Sequence, residues 1–329
     1  MINNGNRGKS ATEPDSPILT KIAMTPITEE EFDEAWLAIE EYPDDYEPEL
    51  VELLLSDHNR VVKLIQEQLL SYKNELSFSG PIKSSSPLYI FLLASYLGER
   101  EFAGPILDLL KGNFERSFPY LPDNFDCESL PSILSRVVGE DVGLLKDFIV
   151  DRHNDDESRR CAVCALVCCT VAGKTEIKDT KLFLSGLFKG DEAEKGSIFW
   201  TEAFNYLCDL GSSNYLELYK DISARGLLDS SFSPTLEQFE DEIAEDDDIR
   251  IEHTRAFYQD REFHEDIEQL HESLRGWLEP SDEEVAQWWD APSKPTTSDL
   301  FSVEVDIKKK EKNKKRKKLA KKSRKKNRR

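Results

Sequence analysis

Four cysteines lie within nine residues of one apolar segment, and thiols at close spacing are candidates for metal binding or redox chemistry. Cys161 and Cys164 have the Cys-x-x-Cys spacing of half a zinc site, and on a helix they share a face with Cys168. A tetrahedral site needs four converging ligands, however, and the residues between these cysteines are Ala, Val and Leu. Free Cys also behaves as a small buried hydrophobe. We therefore expect core packing and no cofactor, with a metal site or a redox pair as alternatives.

Three histidines, His253, His264 and His271, fall in a later acidic segment. On one helix, His264 and His271 share a face with Glu268 between them, which makes a His/Glu metal site conceivable. The density of charge around them favours a solvated helix face instead. We therefore predict no metal centre at these positions.

Motifs for nucleophilic or nucleotide chemistry are absent from the sequence. There is no Gly-x-Ser-x-Gly and no Gly-x-Gly-x-x-Gly. Gly173-Lys174-Thr175 lacks the upstream glycine of a phosphate-binding loop, since position 168 is Cys, and is interpreted as a helix-ending turn. We predict a non-enzymatic protein, the alternative being an enzyme whose residues converge from separate repeats.

Charge is divided unevenly along the 329 residues, whose formal net charge is −22. From Lys308 to Arg329 there are 16 Lys and Arg against one acid, a charge of +15, which leaves 27 bases and 64 acids, or −37, for the rest. With no aromatic residue to stack on a base, such a tail predicts electrostatic, sequence-independent binding to a polyanion, or folding back on the acidic body. The candidate polyanion-binding residues are Lys308, Lys309, Lys310, Lys314, Lys315, Arg316, Lys317, Lys318, Lys321, Lys322, Arg324, Lys325 and Lys326.

Trp288 and Trp289 are adjacent and flanked by acidic residues. An exposed pair of this kind predicts a partner-docking motif. The alternative is that both rings pack back into a groove of the protein.

The elements that would position these residues repeat along the chain. Gly98, Gly139, Gly173 and Gly211 each follow an apolar segment and precede a second one, at separations of 41, 34 and 38 residues. A glycine just past a helix end supplies the left-handed backbone that closes the helix. Helix, glycine turn and helix at about 35–45 residues is the spacing of stacked helical-pair repeats, and the alternative is an irregular helical bundle.

These observations predict an all-α chain, because no segment alternates apolar and polar residues in the manner of a strand. We expect a disordered leader over 1–24, a HEAT-like α-solenoid over 25–245 and an acidic helical extension with the Trp motif over 246–292. A single long helix is predicted over 249–277. A linker and a disordered basic tail complete the chain over 293–329. No apolar run reaches the roughly 18 residues of a membrane span.

Residues 87–240 resemble a bacterial family, domain of unknown function 1186, on the segments SPLYIFLLASYLGEREFAGPILDLL, LPSILSRVVGEDVGLLKDFIVDRHNDDESRRCAVCAL and FWTEAFNYLCDLGSSNYLELYKDISARGLLD. The resemblance implies HEAT-like helical repeats of unassigned activity. Many members carry a C-terminal Cys-rich metal-binding motif. This chain has no Cys after Cys208, so a metal role does not transfer to it.

The function that the sequence predicts is a cytoplasmic scaffold whose repeat groove holds a protein or peptide partner. Its acidic surface favours a basic partner, and its tail adds contact with nucleic acid. One alternative is an RNA-, DNA- or ribosome-associated protein, or an effector delivered to a host nucleus, that acts through the tail. The other is the uncharacterised enzyme mentioned above.

Overall fold

The elements of the chain are known from a computed structural model that describes residues 27–41, 43, 46–112, 114–121, 125, 129–190, 193–229, 231–244, 246–259 and 266–278. Within these ranges all regular elements are helical and no β-strand occurs, which confirms the all-α prediction. In chain order the helices are α1 (Glu29–Glu41), α2 (Pro48–Leu55), α3 (His58–Phe78), α4 (Ser86–Leu97), a 3₁₀ turn (Arg100–Phe102), α5 (Ala103–Leu110), α6 (Phe114–Ser117), α7 (Leu130–Val138), α8 (Gly143–Val150), α9 (Asp156–Val171), α10 (Ile177–Leu187), α11 (Ile198–Asp209), α12 (Leu216–Ala224), α13 (Leu236–Glu242), α14 (Asp247–Gln259) and α15 (Ile267–Leu278).

Local signals set where the first helices begin. Thr28 and Glu31 form a capping box, in which each side chain accepts a hydrogen bond from the other residue's backbone N–H. Pro48 is the first residue of α2, a position where its missing N–H costs nothing. The Asp57 carboxylate accepts from the backbone N–H of Arg60 at the start of α3.

The predicted glycine stops are confirmed at the ends of four helices. Gly98, Gly139, Gly173 and Gly211 follow α4, α7, α9 and α11, and their φ values lie between 61° and 108°. These four helices pack side by side in chain order, and we call them the central row. Helices α3, α5, α8 and α10 pack against the row helices.

Helices α4 and α9 are buried around almost their whole circumference. Ten of the twelve residues of α4 and thirteen of the sixteen residues of α9 are buried. A helix that is apolar on all sides needs neighbours on all sides. The helix pairs alone leave part of this surface to be covered by another segment.

The C-terminal helices provide that cover. Helix α14 packs on α9 and α11, and α15 packs on α4, so the chain returns along the central row toward its beginning. The prediction of one long helix over 249–277 is wrong, because Asp266 is not helical and α15 begins anew at Ile267. The Asp266 carboxylate accepts from the Glu268 N–H, as an aspartate before a helix start does.

All described helices belong to one compact unit, which takes in residues 1–279. The second unit, 280–329, lies outside the described residues, and so do the predicted leader, linker and tail. Among the described helices none combines the length and the apolar character that crossing a lipid bilayer requires.

Candidate functional site

Basic side chains bind the carbonyl ends of helices in the central row. Arg136 Nε donates to the Ser95 carbonyl of α4 at 3.4 Å, and Lys174 Nζ donates to the Ser135 carbonyl of α7 at 2.8 Å. The last carbonyls of a helix have no partner within the helix and carry partial negative charge. A basic side chain there supplies both a hydrogen-bond donor and a positive charge. Each of these bonds joins residues about one repeat apart in sequence.

Helix α14 supplies the same kind of contact to the next helices of the row. Arg255 Nε donates to the Val171 carbonyl at the end of α9 at 3.3 Å. The Thr254 hydroxyl donates to the Asp209 carbonyl at the end of α11 at 2.9 Å. Helix α14 therefore binds the last backbone carbonyls of two row helices.

A turn after α11 holds the first residue of α14. The Asp247 carboxylate accepts from the Ser213 N–H at 3.0 Å and from the Ser213 hydroxyl at 2.7 Å. Lys181 Nζ lies 3.9 Å from the same carboxylate and donates to the Gly211 carbonyl at 2.9 Å. Backbone N–H groups beside a glycine of positive φ make a concave anion site. We call Gly211, Ser212, Ser213 and Lys181 the carboxylate nest.

The electrostatics of the carboxylate nest favour a bound anion. Burial acts to raise the pKa of Asp247, but the hydrogen bonds from Ser213 and the charge of Lys181 outweigh it, so this pKa lies below the usual range. A Cβ added at Gly211 would lie 2.8 Å from Asp247 Cγ. Close approach of the carboxylate therefore depends on a glycine at this position.

Beneath α14, the cysteine-rich helix α9 is packed as a core element. Cys164 Sγ lies 3.5 Å from the Tyr258 hydroxyl of α14, whereas Cys169 Sγ lies 3.4 Å from the Ser135 hydroxyl of α7. Cys161, Cys164, Cys168 and Cys169 are all buried and form no disulfide. Within the part of the chain that the structure describes, no group of three or more His, Cys, Asp or Glu could hold a metal ion.

Helix α15 is held at the other end of the row by a buried histidine. His271 is 5% exposed, its Nδ1 is hydrogen-bonded to the Tyr46 hydroxyl, and its Nε2 lies 3.3 Å from Glu52. Burial raises the pKa of Tyr46 to about 12, so its phenol is neutral at pH 7. The prediction of a solvated histidine face is wrong for His271, because α15 turns this residue toward the segment before α2. His253 is exposed, and His264 lies outside the described residues.

Other anchors of α15 are apolar. Leu270 and Leu274 are buried, and the Trp277 ring meets the Phe125 ring edge to face at 6.3 Å between centroids. Helix α14 differs from α15 in this respect. Its buried residues are Thr254 and Tyr258, which both have a polar group.

The residues predicted to bind partners lie outside the described ranges. These are Trp288, Trp289 and the basic residues between Lys308 and Lys326. Sequence reasoning missed the carboxylate nest, which together with the bound Asp247 comes from three separate segments. Asp247 lies in an acidic run, Asp246-Asp247-Asp248, in which nothing distinguishes the residue that docks.

No family model, curated protein or solved structure matches this chain. The resemblance to domain of unknown function 1186 stays a prediction.

The carboxylate nest predicts unequal effects for two glycine substitutions. Gly211→Ala and Gly173→Ala both place a side chain at positive φ, but nothing lies within 4 Å of a Cβ at Gly173. We expect Gly211→Ala to lower the free energy of unfolding by about 1–3 kcal/mol more than Gly173→Ala, because it also displaces Asp247. Urea denaturation measures both values, and equal losses would contradict the close approach of Asp247.

Proposed function

We propose that this protein is a non-enzymatic helical-repeat scaffold of HEAT-like, α-solenoid type that binds a helix of a protein partner along the central row. Hydrogen bonds between the last turns of α4 and α7 support a parallel stack, as does the contact of Ser197 with Asp156 between the starts of α11 and α9. Parallel stacking of one helix from each pair is the geometry in which repeats form an extended binding surface.

The observation that supports this proposal is the way in which α14 binds the central row. The ends of α9 and α11 present carbonyl acceptors to Arg255 and Thr254, and the carboxylate nest presents donors to Asp247. We call the carboxylate nest and the carbonyl ends of α9 and α11 the helix-binding strip. A helix binds this strip through an acidic first residue and through hydrogen-bond donors near its middle. We propose that the partner's helix has the same chemistry, and that α14 occupies its place within the chain. The sequence predicts a basic partner. The carboxylate nest adds that the first turn of the partner's helix carries an acidic residue.

A peptide of residues 246–259 tests the strip in trans. The host is the full chain with Thr254→Ala and Arg255→Ala, which weakens its own α14 and leaves the nest intact. We expect the fluorescent peptide to bind this host with at least about ten-fold higher affinity than the wild-type chain, whose α14 competes at high effective concentration. Fluorescence anisotropy measures both affinities.

A peptide of the same composition in scrambled order is the control and is expected not to bind. Equal affinity of the native and scrambled peptides for the host would contradict the proposed helix-binding strip.

A second candidate function is binding of RNA or another polyanion by the tail. The observation that favours it is the charge of +15 between Lys308 and Arg329, from 16 bases and one acid. Lysines and arginines at this density release counterions from a phosphate backbone, so the interaction is strong at low salt and independent of base sequence.

The tail proposal predicts a steep dependence of RNA affinity on salt. If about 6–10 phosphates are neutralised, affinity falls by orders of magnitude between about 50 and 200 mM salt. A chain that ends after Ile307 is expected to lose this binding, while protein partners of the row are retained in affinity purification. A filter-binding titration measures the RNA affinity of both chains at two salt concentrations. Undiminished RNA binding by the shortened chain would reject the proposal.

A further inference from the structure

The two C-terminal helices are attached to the protein by different kinds of contact. In helix α14 the buried side chains of Thr254 and Tyr258 both carry a polar group, and the apolar residues Ile249 and Phe257 are each 51% exposed. Helix α15 buries Leu270 and Leu274 among apolar neighbours. Segments with few buried apolar contacts open at lower free energy than those packed in a core. The contacts of α14 therefore favour its opening before α15.

The carboxylate nest is the anchor at the start of α14. Asp247 binds Ser213 through two hydrogen bonds and approaches Gly211 more closely than any other residue type would allow. Ser212 Oγ, in the same turn, is fully buried and has no hydrogen-bond partner among the described residues.

Release of α14 would uncover groups that are otherwise inaccessible. Cys164 is 4% exposed and lies under Tyr258, and the phenol of Tyr206 also faces this thiol. Cys169 lies against Ser135 of α7. The two thiols on one helix therefore report separately on α14 and on the core.

We propose that α14 is a displaceable strap, which leaves the carboxylate nest while α15 stays packed on α4, and that the vacated nest takes a carboxylate from the first turn of a partner's helix. This inference rests on the proposed function for the identity of the ligand. The displacement itself is a property of the unbound chain. The strap would regulate access, because a partner has to compete with Asp247.

Hydrogen–deuterium exchange of the full-length wild-type protein tests the displacement without any substitution. We expect the amides of α14 to exchange at least about ten-fold faster than those of α15 and of α9. Exchange of α14 and α15 at the same rates would show that they open together and would overturn the proposal.

Asp247→Asn tests the anchor, with Asp248→Asn as the matched control. Asp248 is exposed on the same turn, so its substitution removes the same charge without touching the nest. We expect Asp247→Asn to speed exchange of α14 by about ten-fold, the factor expected from weakening a charge-assisted hydrogen bond, and to leave α15 unchanged. An equal effect of both substitutions would overturn the role of the nest.

Alkylation by N-ethylmaleimide gives an independent readout of the same event. Cys164 should react about ten-fold faster in Asp247→Asn than in Asp248→Asn, whereas Cys169 should react at the same rate in both. Equal acceleration of the two thiols would mean that the core has loosened, and would overturn selective displacement.

The ligand chemistry is tested with the host and peptide described above. The peptide with Asp247→Asn is expected to bind about ten-fold more weakly, and the peptide with Asp248→Asn is expected to bind as the native peptide does. Equal affinities would remove the nest from recognition. Fast exchange of α14 with no peptide binding at all would leave the strap intact and refute the proposed function.

Discussion

The structure depends on one constraint, which is that helix α4 and residues 161–171 of helix α9 are apolar around almost their whole circumference and have to be covered. Flanking helices of the repeat pairs cover part of each circumference, and the C-terminal helices cover another part. Burial of apolar area at about 25 cal/mol per Å² is the dominant favourable term in folding. The return of the chain over its own central row follows from this requirement.

The cover consists of two helices with different chemistry. Helix α15 is a core element by its apolar anchors, and the contact of His271 with Tyr46 ties it to the start of the chain. Helix α14 binds through side chains that donate to the last carbonyls of α9 and α11 and through the carboxylate of Asp247. The groups that hold α14 therefore also define which other helix could bind at this surface. A partner's helix with the same polar groups could therefore compete with α14 for this surface.

Much of the helical framework could be predicted because its signals are local. Thr28 and Asp57 begin helices through side chains that act three residues away, and the glycines after α4, α7, α9 and α11 end them. The order of the helix pairs could also be predicted from local signals, because apolar segments and glycine turns alternate along the chain. The cysteines of α9 were correctly interpreted as small core residues.

The contacts of the C-terminal helices could not be predicted because they join distant segments. Tyr46 and His271 are 225 residues apart, and Ser213 and Asp247 are 34 apart without a motif to link them. The apolar circumference of α4 did signal that a further layer was needed. It did not indicate which segment would supply that layer, since many residues of α14 and α15 are polar or charged.

Unfolding of two shortened chains tests most directly whether the return of α15 completes the core. One chain ends after Gln259 and lacks α15, and its control ends after Glu279 and retains it. We expect the shorter chain to lose about 3 kcal/mol or more of unfolding free energy in urea, because α4 loses its cover and Phe125 loses its edge-to-face contact with Trp277. Unfolding free energies that agree within about 0.5 kcal/mol would contradict it.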